Sequence, residues 1–316
     1  MSDPKRHHYL PEFYQRRWVN ADNEVSVYRR FPSGLDIKHK PPSAIGFEKE
    51  LYSIRSLDDP KRRQELETVF MSAVDNVAAQ ALTFMEESGR PPEDPRLRNG
   101  WARFIMRLLN SSPRRIEYFR RELQAHELTV LEEIEATYEA KRKPDEPATF
   151  TEFMETTDKT LTDRTLAQLV QGLVDSPMIG EALVRMRWAI MTLPDETYDL
   201  LASDMPLMRS NGLGDQMGFA IMPLGPRRLF IGAHHPDVIR SFASQRPKAL
   251  VRGLNSAIVE QAEHFVIARD ESQTKFIDRR LGRGDPHDRA RDTTGDLTWR
   301  APLVAIPEMP AVNLRK

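Results

Sequence analysis

Leu97-Arg98-Asn99-Gly100-Trp101-Ala102-Arg103-Phe104-Ile105-Met106-Arg107-Leu108-Leu109 repeats its large apolar side chains at helical spacing. Leu97, Trp101, Phe104, Ile105, Leu108 and Leu109 fall on one face of a 3.6-residue period, which predicts an amphipathic helix turned toward a core. Pro113 lacks the backbone N–H needed to continue it and predicts a bend or an end. The same period extends to both sides. Leu66, Val69, Phe70, Ala73, Val77, Ala81 and Phe84 predict a helix before it. Ile116, Phe119, Leu123, Leu128, Leu131 and Ile134 predict a long helix after it, intact or broken. A fourth, from about Arg164 to Met191, carries Leu166, Leu169, Val170, Leu173, Leu183, Met186, Trp188 and Ile190, with an interruption near Pro177.

Both flanks of this helical middle switch to period two. Val25-Ser26-Val27-Tyr28-Arg29 alternates, and a return strand is expected after the turn Phe31-Pro32-Ser33-Gly34. Leu51-Tyr52-Ser53-Ile54 reads as a short strand. Further strands are expected at Tyr198–Ala202, Gly218–Met222, Arg228–Gly232 and His264–Ala268, with Pro223-Leu224-Gly225-Pro226 as a hairpin connection. Strands at both ends with helices between them predict an α+β fold: one mixed, largely antiparallel sheet built from N- and C-terminal strands, with an inserted helical middle. Ser88–Pro95 and Lys143–Pro147 are proline-rich loops. The expected organisation is a single domain over residues 1–281, with the helical insertion at about 62–192. A polar, partly mobile tail is expected over 282–316, where Gly282-Arg283-Gly284-Asp285-Pro286 opens a polar stretch to Gly295.

Composition narrows the function. The 316 residues include no cysteine, which removes disulfides, thiolate zinc sites and thiol catalysis. Of 46 basic residues 11 are lysine, leaving 35 arginines against 47 acidic residues, a net charge of −1. Such a chain has no global pull on nucleic acid or an anionic membrane, so a nucleic-acid role needs local arginine clustering. The polar start Met1–Arg6 has no signal-peptide core, and no apolar run reaches the ~20 residues of a membrane helix, so a cytoplasmic protein is expected.

The most marked motif is His7-His8-Tyr9-Leu10-Pro11-Glu12-Phe13-Tyr14-Gln15-Arg16-Arg17-Trp18. Pro11 biases Leu10 to extended backbone, so His7 and His8 point to opposite sides. Two adjacent histidines therefore rarely ligate one metal. One can serve as acid, base or ligand, or both can anchor the terminus to the core. The second motif is Ser203-Asp204-Met205-Pro206, where a carboxylate at a strand end either closes a tight turn or orients a histidine. His234-His235 repeats the doublet without an HxxxH or HxH pair, so the metal question stays open. Arg103 and Arg107 share a helix face, with Arg114 and Arg115 beyond, and form either a phosphate site or a solvated face. His39, His126 and His287 sit in polar surroundings. A phosphate-cradling glycine loop, a GxSxG elbow and a DxD cluster are missing.

These residues resemble a bacterial family, the domain of unknown function numbered 4238. The likeness rests on the His7-His8-Tyr9-Leu10-Pro11 opening with its aromatic, basic continuation, then on Leu51-Tyr52-Ser53, Trp188, Ser203-Asp204-Met205-Pro206, Pro223-Leu224-Gly225-Pro226 and Asn255. Ser111-Ser112-Pro113 stands where the family often has Arg-Thr-Pro, which leaves any anion-binding role there to Arg114 or Arg115. The resemblance marks His7, His8, Tyr9 and Asp204 but supplies no reaction and no cofactor.

Three functions are compatible with these residues. The leading one is a hydrolase or phosphodiesterase, with or without the help of a metal. In it His7 or His8 is base or ligand, Asp204 its partner, Tyr9 an orienting hydroxyl, and Arg16 or Arg17 the anion binder. The second is a ligand- or protein-binding module in which the His-His-Tyr run is structural. The third is a nucleic-acid binder, which requires Arg103 to Arg115 to form one positive stripe.

Overall fold

The period-two segments at the two ends of the chain find each other. In the computed structural model, which describes residues 6–53, 66–156, 161–210 and 212–282, β1 (Arg6–His8) pairs antiparallel with β4 (Phe47–Lys49). The hairpin β2 (Val25–Phe31) and β3 (Gly34–Lys40) closes through the predicted Pro32-Ser33 turn. β2 then pairs with the C-terminal β10 (Val266–Ala268), which in turn pairs with β6 (Ala202–Ser203). A third sheet, in the order β5-β9-β8-β7, joins Arg187–Thr192, Arg228–Ala233, Phe219–Gly225 and Met208–Arg209. The α+β class, the antiparallel pairing and the helical middle are those expected. The strands differ from expectation in being divided among three sheets, of which β3-β2-β10-β6 is the one that unites the chain ends.

The helical middle begins with a π-turn at Leu66–Met71 that continues into α2 (Ser72–Ser88); α1 is the single turn Glu12–Gln15. Gly89, at φ 64°, stops α2 in the left-handed conformation that suits glycine. Asp94 caps α3 (Pro95–Asn110) by accepting the Arg96 N–H, with Pro95 at the first helical position. Ser112 and Pro113 start α4 (Pro113–Lys141) in the same way. α4 is continuous over 29 residues. Its distal half does not bury the predicted stripe: Leu128 is 62% exposed. α5 (Phe150–Thr156), α6 (Leu161–Val174) and α7 (Pro177–Arg185) follow.

Two sequence readings are corrected here. The fourth helix does not reach Met191. Pro177 opens α7 instead of interrupting a longer helix, and Arg187–Thr192 is β5, paired along the edge of β9. Met186, Trp188 and Ile190 satisfy both periods, and the sheet edge decides between them by supplying a hydrogen-bonded neighbour. Leu51 and Tyr52 form a turn rather than a strand, and Ile54 lies outside the described residues. Of Tyr198–Ala202 only Ala202 enters a strand. The polar run after Gly282, with His287, also lies outside them.

β8 and β9 explain why the middle and the C-terminal part hold together. Every residue of Phe219–Gly225 is buried. Alternate side chains feed two cores. Ala220, Met222, Leu224 and Phe230 join the core made by Leu10, Tyr14, Trp18 and the faces of α2 and α3. Phe219, Ile221, Leu229 and Ile231 join the other core, made with α8 (Pro236–Ala243) and α9 (Pro247–Gln261). A sheet covered on both faces reads as a continuous apolar run, as this one does. The last helix, α10 (Thr274–Asp278), packs its Ile277 into that second core.

Candidate functional site

The extended run before Pro11 places successive side chains of the His-His-Tyr motif on different surroundings. His7 is fully buried. Its Nδ1 accepts the Tyr52 backbone N–H at 3.0 Å and its ring stacks on Tyr52, centroids 5.4 Å apart. His8 is buried against Phe47, with Nε2 3.6 Å from Glu12 Oε1, too long for a hydrogen bond. Burial holds the His8 imidazole below its ordinary pKa, with Glu12 pulling the other way and Arg107 adding to the depression. Tyr9 is buried and its ring lies 6.5 Å from that of His264. Burial, with the Asp204 carboxylate beside it, pushes the phenol pKa far above 10, so Tyr9 remains a hydrogen-bond donor.

Asp204 is brought to Tyr9 by strand register. Ser203 pairs with Val266 across β6 and β10, so Asp204, one residue past β6, stands beside the residues that precede β10. Its own N–H donates to the Phe265 carbonyl at 3.3 Å. The carboxylate is almost completely buried, 1% exposed, and accepts three hydrogen bonds: Glu263 N–H at 3.1 Å, His264 N–H at 2.7 Å and His264 Nδ1 at 3.0 Å. The His264 side chain is 46% exposed. The hydrogen bond that His264 donates to the Asp204 carboxylate raises the His264 pKa above its ordinary 6.5, against the opposing effect of partial burial. A buried carboxylate therefore fixes one ring nitrogen and leaves Nε2 as the other face of a solvent-reached imidazole.

The two sequence motifs thus converge, and Tyr9 is their meeting point. The imidazole held by Asp204 is His264, and not His7 or His8 as the sequence suggested. His264 was read only as the start of a strand. The signal that could have found it was a histidine preceding an apolar β-segment, but its partner lies 60 residues away, and only the strand register joins them.

The arginines separate in the same way. Arg16 pairs with Glu12 at 3.0 Å and is mostly exposed; Arg17 pairs with Glu86 at 2.5 Å. Arg115 lies over the Phe119 ring, 4.9 Å from its centroid. Arg114 lies 3.6 Å from Glu263 and is the one of the four shown beside the Asp204–His264 pair. The expected arginine stripe is interrupted: Arg103 pairs with Asp175, and Arg107 is fully buried with Asp75 rather than solvated. Among the described residues no group of three His, Cys, Asp or Glu side chains could hold a metal ion, and no helix is long and apolar enough to cross a membrane. His234 bonds to the Leu213 carbonyl and His235 caps α8 by accepting the Asp237 N–H.

Fold and motifs together define an α+β protein whose N-terminal histidine run is built into its core beside a carboxylate–imidazole pair. The chain belongs to the family described as "Protein of unknown function (DUF4238)", whose model matches residues 6–272. No curated protein and no solved structure matches it.

Proposed function

We propose that this chain is a hydrolase working by general acid–base catalysis at His264, with Asp204 and Tyr9 as its partners. One observation carries the reading: a carboxylate that is almost completely buried, with three hydrogen bonds, holds the ring of a histidine that water can reach. Burying a charge is costly unless it is paired, and this one is placed to fix a tautomer. In the proposed step the His264 nitrogen not held by Asp204 takes a proton from water. The water oxygen forms a bond to the acyl or phosphoryl centre, the bond to the leaving group breaks, and the imidazolium returns the proton to that group. Asp204 orients the ring and stabilises its cation. The Tyr9 phenol, which stays protonated, donates to the oxygen that gains charge. Arg114, 3.6 Å from Glu263, is the proposed cation that attracts an anionic substrate such as a phosphodiester. His7 and His8 support the strand that carries Tyr9. The proposal sets this activity in the bacterial cytoplasm, following the family resemblance.

The test is turnover by the full chain on panels of esters, phosphodiesters and amides, compared with H264A. The reading expects turnover on one panel, rising with pH through a pKa above 6.5, and a loss of about 10²- to 10⁴-fold in a folded H264A protein. Turnover untouched by H264A, or absent on all panels, rejects it. The second reading, a binding module, draws on the closed environment of His7. It also draws on an open cleft of about 710 Å³ lined by Phe84, Pro91, Pro92, Leu97, Arg90 and Arg98. It expects ligand capture at that cleft that survives H264A.

A further inference from the structure

The connection from α2 to α3 lines an open cleft of about 710 Å³. Phe84 of α2, Pro91 and Pro92 of the connection and Leu97 of α3 give it an apolar wall, and Arg90 and Arg98 bring two cations to it. Adjacent prolines fix their own φ and hold that wall in shape. The volume suits a small organic molecule, for which sites run to about 300–1,000 Å³.

Arg98 is held in place without a counter-ion. Its Nη2 donates to the Val184 carbonyl at 2.7 Å and to the Met186 carbonyl at 3.0 Å. The guanidinium carbon lies 4.0 Å from the centre of the Trp188 ring. Nη1 reaches the Pro92 carbonyl only at 3.5 Å, and Nε has no acceptor among the described residues. α7 and β5 therefore fix the side chain before any ligand arrives, which lowers the ordering cost of binding. Among the described residues neither Arg98 nor Arg90 has an ion-pair partner. The two acids of the cleft do not supply one. Asp94 is turned to its own helix, where it accepts the Arg96 N–H at 2.8 Å, and Glu93 is exposed. Arg103 and Arg107 on the same helix do have such partners, Asp175 and Asp75. Partial burial draws the Arg98 pKa below its ordinary value, and no carboxylate opposes it.

We propose that this cleft binds a small organic anion, whose charged head meets Arg98 and Arg90 while its apolar body lies on Phe84, Pro91, Pro92 and Leu97. A guanidinium that has given up part of its water and met no anion gains from a ligand that brings the charge. An uncharged ligand of the same shape fills the wall and leaves that gain unrealised. The site rests on the second functional reading, capture of a ligand at this cleft. It shares no residue with the Asp204–His264 pair, so it holds whether or not the chain is a hydrolase.

Calorimetric titration of the full chain with naphthoate, and with its uncharged isostere naphthamide, tests this. Naphthoate is expected to bind at one site, at least about tenfold more tightly than the amide, as a hydrogen bond to a charged group implies. Hydrogen exchange locates the site: with naphthoate, peptides covering residues 84–98 gain protection and those around His264 do not. R98Q is expected to lose about ten- to a hundredfold in naphthoate affinity. Arg98 also holds two carbonyls, so R90Q, at an exposed side chain, decides the matter if R98Q fails to fold; it is expected to lose about two- to fivefold. Equal affinity for the two probes, or naphthoate affinity unchanged in folded R98Q or in R90Q, overturns the anion site and leaves capture at the cleft standing. No saturable binding of either probe, or protection only outside residues 84–98, overturns both.

Discussion

At the scale of single residues, the chemistry lies in the contrast between two histidines. His7 is closed in and accepts a backbone N–H, whereas His264 is half-exposed and held by a carboxylate. The contrast yields a direct test of what Asp204 does. In D204N the side chain keeps its shape but loses its charge, so the His264 pKa is expected to fall from its raised value toward or below 6.5. A pH titration of the imidazole carbon-bound protons by NMR reads the change. An unchanged midpoint would mean that Asp204 only closes the turn. Stability follows the same sign. The contribution of this pair is complete below pH 6.5 and fades as pH rises through the folded value, a fall that D204N abolishes. The sequence made Tyr9 and Asp204 legible because Pro11 and Pro206 mark rigid backbone around them. It could not make their convergence legible, because that depends on β6 meeting β10 in one register.

At the scale of elements, local rules worked where the chain decides locally. The caps at Asp94 and Ser112 and the stop at Gly89 follow from side-chain oxygens, prolines and a positive φ within a few residues. D94A is expected to cost about 1 kcal/mol in denaturant unfolding, the usual loss for a cap. Local rules failed at Arg187–Thr192, where the apolar spacing fits a helix or a strand and the decision belongs to β9. Between α2 and α3 a different constraint acts. Gly100 is buried on α3, and a Cβ there would overlap Val77 Cγ1 and lie 2.8 Å from Val77 Cβ. Both atoms sit on a branched side chain with little rotameric freedom in a helix. G100A should therefore destabilise by about 1–3 kcal/mol despite the better helix propensity of alanine. V77A in the same chain should recover part of the loss. A G100A protein as stable as the wild type would show that the two helices can part without penalty.

At the scale of the whole molecule, the N-terminal motif behaves as a rivet between parts of the chain that are far apart in sequence. The Trp18 indole N–H donates to the Leu200 carbonyl at 2.7 Å, across 182 residues, and the Tyr14 hydroxyl to the Pro223 carbonyl at 2.8 Å, across 209. Both side chains are fully buried in the core shared with α2 and α3, and β8 and β9 feed that core and its neighbour alike. Removing Trp18 therefore acts on the C-terminal sheet as well as on the terminus that carries it. W18A is expected to cost about 3–5 kcal/mol, from lost burial, the cavity left behind and an orphaned carbonyl. Because the two cores share one sheet wall, residues 1–281 are proposed to unfold as one unit, with far-UV circular dichroism and tryptophan fluorescence giving coincident denaturant transitions in the wild type. The other three tryptophans keep the fluorescence readout available in W18A: Trp101 and Trp188 lie in the helical core, and Trp299 lies outside the described residues. If W18A shifts both probes together, the rivet couples the helical middle to the C-terminal sheet. If it splits them into two transitions, the cores fold separately and the single-unit reading fails.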